Sequence, residues 1–223
     1  MRALVREHRV HVSQLVQPLF IVEDAAAAGA IDSMPGIDRY TVEGAVHEVG
    51  LLDALGVRSV LLFGIPDAKD AVASSNYDPN GIVQRAARQI KQAFPHVLVI
   101  ADLCNCEYTD HGHCGIVDEL GEIDNDATVE VLVRTALTYA RAGVDVIAPS
   151  DMMDGRVRAI RDALDEENFE QIAIMAYSAK YASAFYGPFR SCRFDAAVRR
   201  SPQLPDGSAQ RARSAARNRA RHR

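Results

Sequence analysis

Lysine is scarce in this chain: Lys69, Lys91 and Lys180 are all it has in 223 residues. Long apolar runs are missing too, the longest having the length of a strand, so no segment reads as a membrane span. The start, Met1-Arg2-Ala3-Leu4-Val5-Arg6-Glu7-His8, lacks the apolar centre of a secretory signal. No Gly-rich phosphate loop follows the first predicted strand, which weighs against a nucleotide-binding sheet. Only four cysteines occur, and three are grouped rather than spaced as a disulfide framework. Together these absences point to a reducing cytoplasm.

The net charge of −5 conceals a split. Residues 191–223 hold nine arginines against Asp195 and Asp206, a net of +7, and residues 1–190 a net of −12. The tail runs from Ser201-Pro202 into Ala-Arg-Ser repeats that bury little apolar surface, so disorder is expected there.

Between Leu15 and Ser178, strand-like runs alternate with helical periodicity, as in a parallel sheet built from βα units. The strands expected are 16–22, 57–65, 97–103, 144–149 and 172–177. Helices are expected over 41–55, 81–94, 128–142 and 157–169, with Gly56 and Gly143 ending the first and third. Polar residues capable of chemistry follow the strands, at 102–114, 150–156 and 178–190. That is the catalytic face of a (β/α)8 barrel, which the pattern favours over an open doubly wound sheet.

The densest chemistry lies in Cys104-Asn105-Cys106-Glu107-Tyr108-Thr109-Asp110-His111-Gly112-His113-Cys114-Gly115. Cys-x-Cys at a strand end, with a Gly- and His-containing turn returning a third Cys, brings soft ligands within reach of one ion. Three thiolates leave the fourth position that catalytic zinc keeps for water or substrate. Unmetallated thiols are the other reading, and a Cys104–Cys106 disulfide would be strained. His111 and His113 rank below the cysteines as ligands.

Lys69 and Lys91 read as solvated surface charges. Lys180 follows a buried strand and has Tyr177, Tyr181, Phe185 and Tyr186 nearby, a setting that disfavours the ammonium form. That makes it a candidate Schiff-base nucleophile, against the reading of a lysine reaching out to water. Arg190 would suit a carboxylate.

Four segments together resemble a known family: Leu61 to Pro66, Asp102 to Gly115, Ala148-Pro149-Ser150-Asp151-Met152-Met153-Asp154-Gly155-Arg156, and Met175 to Arg190. The chain resembles the porphobilinogen synthases, or 5-aminolevulinate dehydratases, over about residues 4–190 and not in the tail. The resemblance implies a (β/α)8 barrel with an N-terminal arm, a homo-octamer, and condensation of two 5-aminolevulinate molecules to porphobilinogen in tetrapyrrole and haem biosynthesis. It implies catalytic zinc on Cys104, Cys106 and Cys114, a Schiff base at Lys180, and a substrate carboxylate at Arg190. Asp102, Ser150 and Asp151 would line the pocket.

The family uses a second lysine further along, and here none follows Lys180. Five strands are legible where a barrel needs eight. The expectation is therefore a partial barrel over 1–190, truncated and poorly soluble alone, with a tail over 191–223 that reads as out of frame. Three functions follow: a dehydratase, a zinc-binding subunit without turnover, or, a distant last, an Arg-tailed nucleic-acid binder.

Overall fold

The computed structural model of the chain describes residues 1–2 and 4–180. The expected tail, Arg190 and Cys192 all lie outside the described residues.

Buried β-rich runs set the frame. Strands β1 (Gln17–Val22), β4 (Ser59–Ile65), β5 (Leu98–Leu103), β8 (Val146–Pro149) and β9 (Ala173–Ile174) lie side by side and parallel in chain order. Helices α1 (Val42–Ala54), α2 (Ile82–Ala93), α3 (Asn125–Arg141) and α4 (Arg156–Glu166) make the crossovers. On α2, Ile82, Val83, Ala86, Ala87 and Ile90 fall on one face at helical spacing and are all buried. Gly56 and Gly143, at φ 86° and 88°, stop α1 and α3 as their positions predicted.

Alternation along the strands divides the sheet's two faces. Leu19, Ile21, Val60, Leu62, Val99, Ala101, Leu103 and Ile147 share one large core with the buried residues of all four helices. Phe20, Phe63 and Ile31 form a second cluster, and Ile100, Val146 and Ala148 a third, and neither holds a helix residue. Among the described residues the helices thus cover one face, unlike a doubly wound sheet. Full burial of each Leu or Ile contributes about 2 kcal/mol, so the helix-side core dominates stability.

Every parallel strand points the same way, so the loops after β4, β5, β8 and β9 open at one end. This is what gathers residues 102–114, 150–156 and 178–180.

Three details depart from expectation. Among the described residues the sheet has seven strands, because β2 (Gly29–Ala30) and β3 (Asp38–Tyr40) pair with each other and β3 with β1. A second hairpin, β6 (Ile116–Val117) with β7 (Ile123–Asp124), follows the cysteines. Helix α3 starts at Asn125 rather than Thr128 because the Asp124 carboxylate caps it, accepting from Asp126 N and Ala127 N at 3.0 Å each.

Lys91 is also not the solvated charge expected. Its ammonium donates to Pro95 O, Val97 O and both Asp145 oxygens at 3.0–3.1 Å, and Asp145 Oδ2 accepts from Val99 N. The pair pins α2 to the starts of β5 and β8.

Candidate metal centre and lysine pocket

Past Leu103 the chain leaves β5 into a loop whose side chains stay inside: Cys104, Asn105, Cys106, Glu107, Tyr108 and Thr109 are all buried. The Sγ atoms of Cys104, Cys106 and half-buried Cys114 lie within 4.8 Å of one another. Cys104 and Cys106 Sγ are 3.1 Å apart, and all three stand as thiols. Around a tetrahedral zinc at about 2.3 Å, sulfurs would sit about 3.8 Å apart, so small side-chain rotations suffice. Among the described residues this is the one cluster of three or more His, Cys, Asp or Glu groups with metal-ligand spacing. The Cys114 thiol is held above its ordinary value by its hydrogen bond with Cys104, against one with Cys106, and burial adds to the rise.

Of the two histidines in this loop, His111 closes the turn through its side chain. His111 Nδ1 accepts from His113 N at 3.1 Å, and their rings lie 5.2 Å apart. Burial lowers the His113 pKa, with the His111 charge adding to it.

A ring of hydrogen bonds encloses the cysteine loop from behind. Asn76 Nδ2 donates to Cys104 O at 3.0 Å and to Asn105 Oδ1 at 2.9 Å. Tyr139 OH on α3 donates to Asn76 Oδ1 at 3.0 Å, and Tyr108 of the loop is hydrogen-bonded to Tyr139. Burial raises both tyrosines' pKa, so they stay neutral donors. Gly64 leaves the space: an added Cβ would meet the Tyr108 hydroxyl, Val83 and Ile82.

Asp102 and Ser150, on neighbouring strand ends, are both buried, and Ser150 Oγ donates to Asp102 Oδ2 at 3.0 Å. Beside them is a cavity of about 210 Å³ lined by Asp151, Met152, Met153, Asp154, Gly155, Arg156 and residues 177–180. Lys180 therefore shares a pocket with Asp151. Its charge also reaches Cys114 and Tyr177. The described lining is more polar than the sequence suggested, and Tyr181, Phe185 and Tyr186 lie outside the described residues.

Arg156 was not singled out as a functional residue. Its Nη1 donates to Met153 O at 2.9 Å and its Nη2 to Tyr177 O at 3.4 Å. Its Nε lies 3.1 Å from Asp151 Oδ2 as a charge contact without hydrogen-bond alignment. Asp151, its side chain fully enclosed, accepts from Met153 N at 2.7 Å. Burial pushes its carboxyl up to about 7, against the pull of Arg156. The signal in the sequence was an arginine opening a helix directly after the Asp-Gly turn, where a basic residue gains nothing from the helix dipole.

Comparison with known proteins now decides the family. The family model for Delta-aminolevulinic acid dehydratase matches residues 1–222. The chain belongs to the delta-aminolevulinic acid dehydratase family. That match runs past the stretch at 4–190 that carries the motifs. Among curated dehydratases, the chain is 53% identical over 191 residues to that of Methanothermobacter thermautotrophicus, covering 85% of this chain and 58% of that protein. It is 48% identical over 206 residues to that of Bacillus subtilis, covering 92% and 62%. The chain thus spans about three fifths of the curated dehydratases it matches. The dehydratase of Toxoplasma gondii ME49, solved in complex with its reaction product porphobilinogen, superposes with a TM-score of 0.86 at 40% identity, covering 98% of this chain and 64% of that one. The α/β fold with its mostly parallel sheet is similar to that of the Toxoplasma enzyme.

Proposed function

We propose that the chain performs the porphobilinogen synthase reaction, joining two 5-aminolevulinate molecules into porphobilinogen for tetrapyrrole synthesis. The observation that carries this is the meeting of Lys180 and the three thiols over one sheet end. The same reading makes residues 1–190 part of a (β/α)8 barrel in a cytoplasmic homo-octamer, with 191–223 as a separate basic tail.

Cys104, Cys106 and Cys114 would hold zinc, since three soft donors packed this closely suit that ion better than magnesium. When bound, it would supply Lewis acidity to one substrate. The chain's own part centres on Lys180. Its neutral amine adds to the substrate keto carbon, and loss of water leaves a Schiff base. Asp151, titrating near neutrality in the same pocket, can give the proton that the departing hydroxyl needs. Arg156 fixes the carbonyl of Tyr177, three residues from the amine. Arg190, outside the described residues, would hold a substrate carboxylate.

Borohydride trapping with labelled 5-aminolevulinate tests this. Label on Lys180, abolished in Lys180→Met, supports it, and an unlabelled chain that retains zinc sinks it. A second reading is a zinc-binding subunit without turnover, since residues 181–223 offer no lysine for the other substrate molecule. Zinc near one per chain, with Lys180 labelled but no porphobilinogen in a colorimetric assay, would select it.

A further inference from the structure

The ring behind the cysteine loop has a design beyond packing. Asn76 is fully buried, yet its side chain spends both donor and acceptor capacity on groups that surround the loop. It sits in a 3-10 turn (Ser74–Asn76) behind Ala73, which adopts φ 53°. A left-handed alanine costs about 1 kcal/mol, so the turn is held there by something. Asp70 does part of this, accepting from Val72 N at 3.0 Å and Ser74 N at 2.9 Å and bonding the Ser74 hydroxyl. Its backbone also pairs with the cysteine loop at Thr109, through Asp70 N to Tyr108 O and Asp110 N to Asp70 O, each 3.3 Å. Gln84 donates to the carbonyl of Asn76 itself at 2.8 Å, which fixes the residue from its other side.

We propose that Asn76 and Tyr139 are positioning residues for metal binding, presetting the backbone at Cys104 and Asn105 so that Cys104 and Cys106 Sγ face one point before an ion arrives. The proposal rests on the metal assignment above and deepens it. With the Cys104 carbonyl and the Asn105 side chain both tied to Asn76, the peptide joining the first two cysteines has little rotational freedom left. Less ordering is then required on binding. The Tyr139 hydroxyl orients the Asn76 amide, because its donated proton selects which end is oxygen.

Cobalt(II) titration of the full chain, with chelator competition and the thiolate charge-transfer band as readout, tests the idea. Asn76→Leu is expected to weaken cobalt(II) affinity about 10- to 100-fold, with Tyr139→Phe losing less in the same direction. Thr135→Val removes another buried hydroxyl of α3, one bonded among the described residues to Val131 O, and is expected to bind as the unaltered chain does. Wild-type affinity in Asn76→Leu or Tyr139→Phe, or a loss no greater than in Thr135→Val, overturns the proposal. Where Asn76→Leu fails to fold, Tyr139→Phe decides. No cobalt(II) binding by the unaltered chain would instead overturn the metal assignment beneath it.

Discussion

The cysteine loop and the lysine segment face each other across one end of the sheet, and they are held in opposite ways. The loop is continuous with a six-residue strand, its residues 104–109 are buried, and side chains from two other parts of the chain bond to it. Lys180 follows a two-residue strand that is the last of the sheet among the described residues. Its segment is tied by backbone bonds from Met175 N to Ile147 O and Tyr177 N to Pro149 O, at 2.8 and 3.1 Å, and by Arg156. Ser178 and Ala179 are exposed. Among the described residues, the cysteine half is framed by buried side chains, whereas the lysine half is tied by two backbone bonds and one guanidinium.

The most severe way to break this contrast is Arg156→Met. Above pH 7 it strands the Asp151 carboxylate without its partner, and we expect a loss of about 3 kcal/mol in urea unfolding at pH 8. Hydrogen exchange should quicken at residues 175–180 while cobalt(II) affinity holds. Equal loosening of residues 104–109 would show that the two halves are one unit.

Next comes pH. Asp151 keeps its proton to about 7 when folded and to 3.8 otherwise. Folding therefore takes up a proton between about pH 4 and 7, and stability falls as pH rises through that window, by at most about 1.4 kcal/mol per unit. Asp151→Asn should flatten this slope in urea titrations at several pH values, and an unchanged slope would place the burden on another group.

The smallest effect belongs to Lys91→Met, far from both halves. Losing the Lys91–Asp145 pair, a quarter to a third exposed, should cost about 1 kcal/mol in thermal unfolding and leave cobalt(II) binding and Lys180 labelling alone. A change in either would mean that the sheet's opposite end governs the site.

Much of this was legible in the sequence. Short apolar runs pointed to the five parallel strands, and three cysteines in eleven positions to the thiol cluster, because both signals are local. The hairpins escaped because strands of two or three residues leave no periodicity. Lys91 was misread because its partner, Asp145, is 54 residues away. Asn76 and Tyr139 were passed over for the same reason, since they meet 63 residues apart, whereas Arg156 left a local signal beside Asp151.

The ring behind the cysteines also sets an order of events. All three cysteines are on the ribosome's side of completion by residue 114, but Tyr139 lies 63 residues beyond Asn76. During synthesis the thiols exist for a time without the hydroxyl that closes their frame. A nascent chain halted between residues 114 and 139 would hold the right sulfurs in the wrong state, open to oxidation or to a stray ion. On the proposed positioning role, metal loading would wait for α3 to dock, a long-range step that local folding cannot hasten.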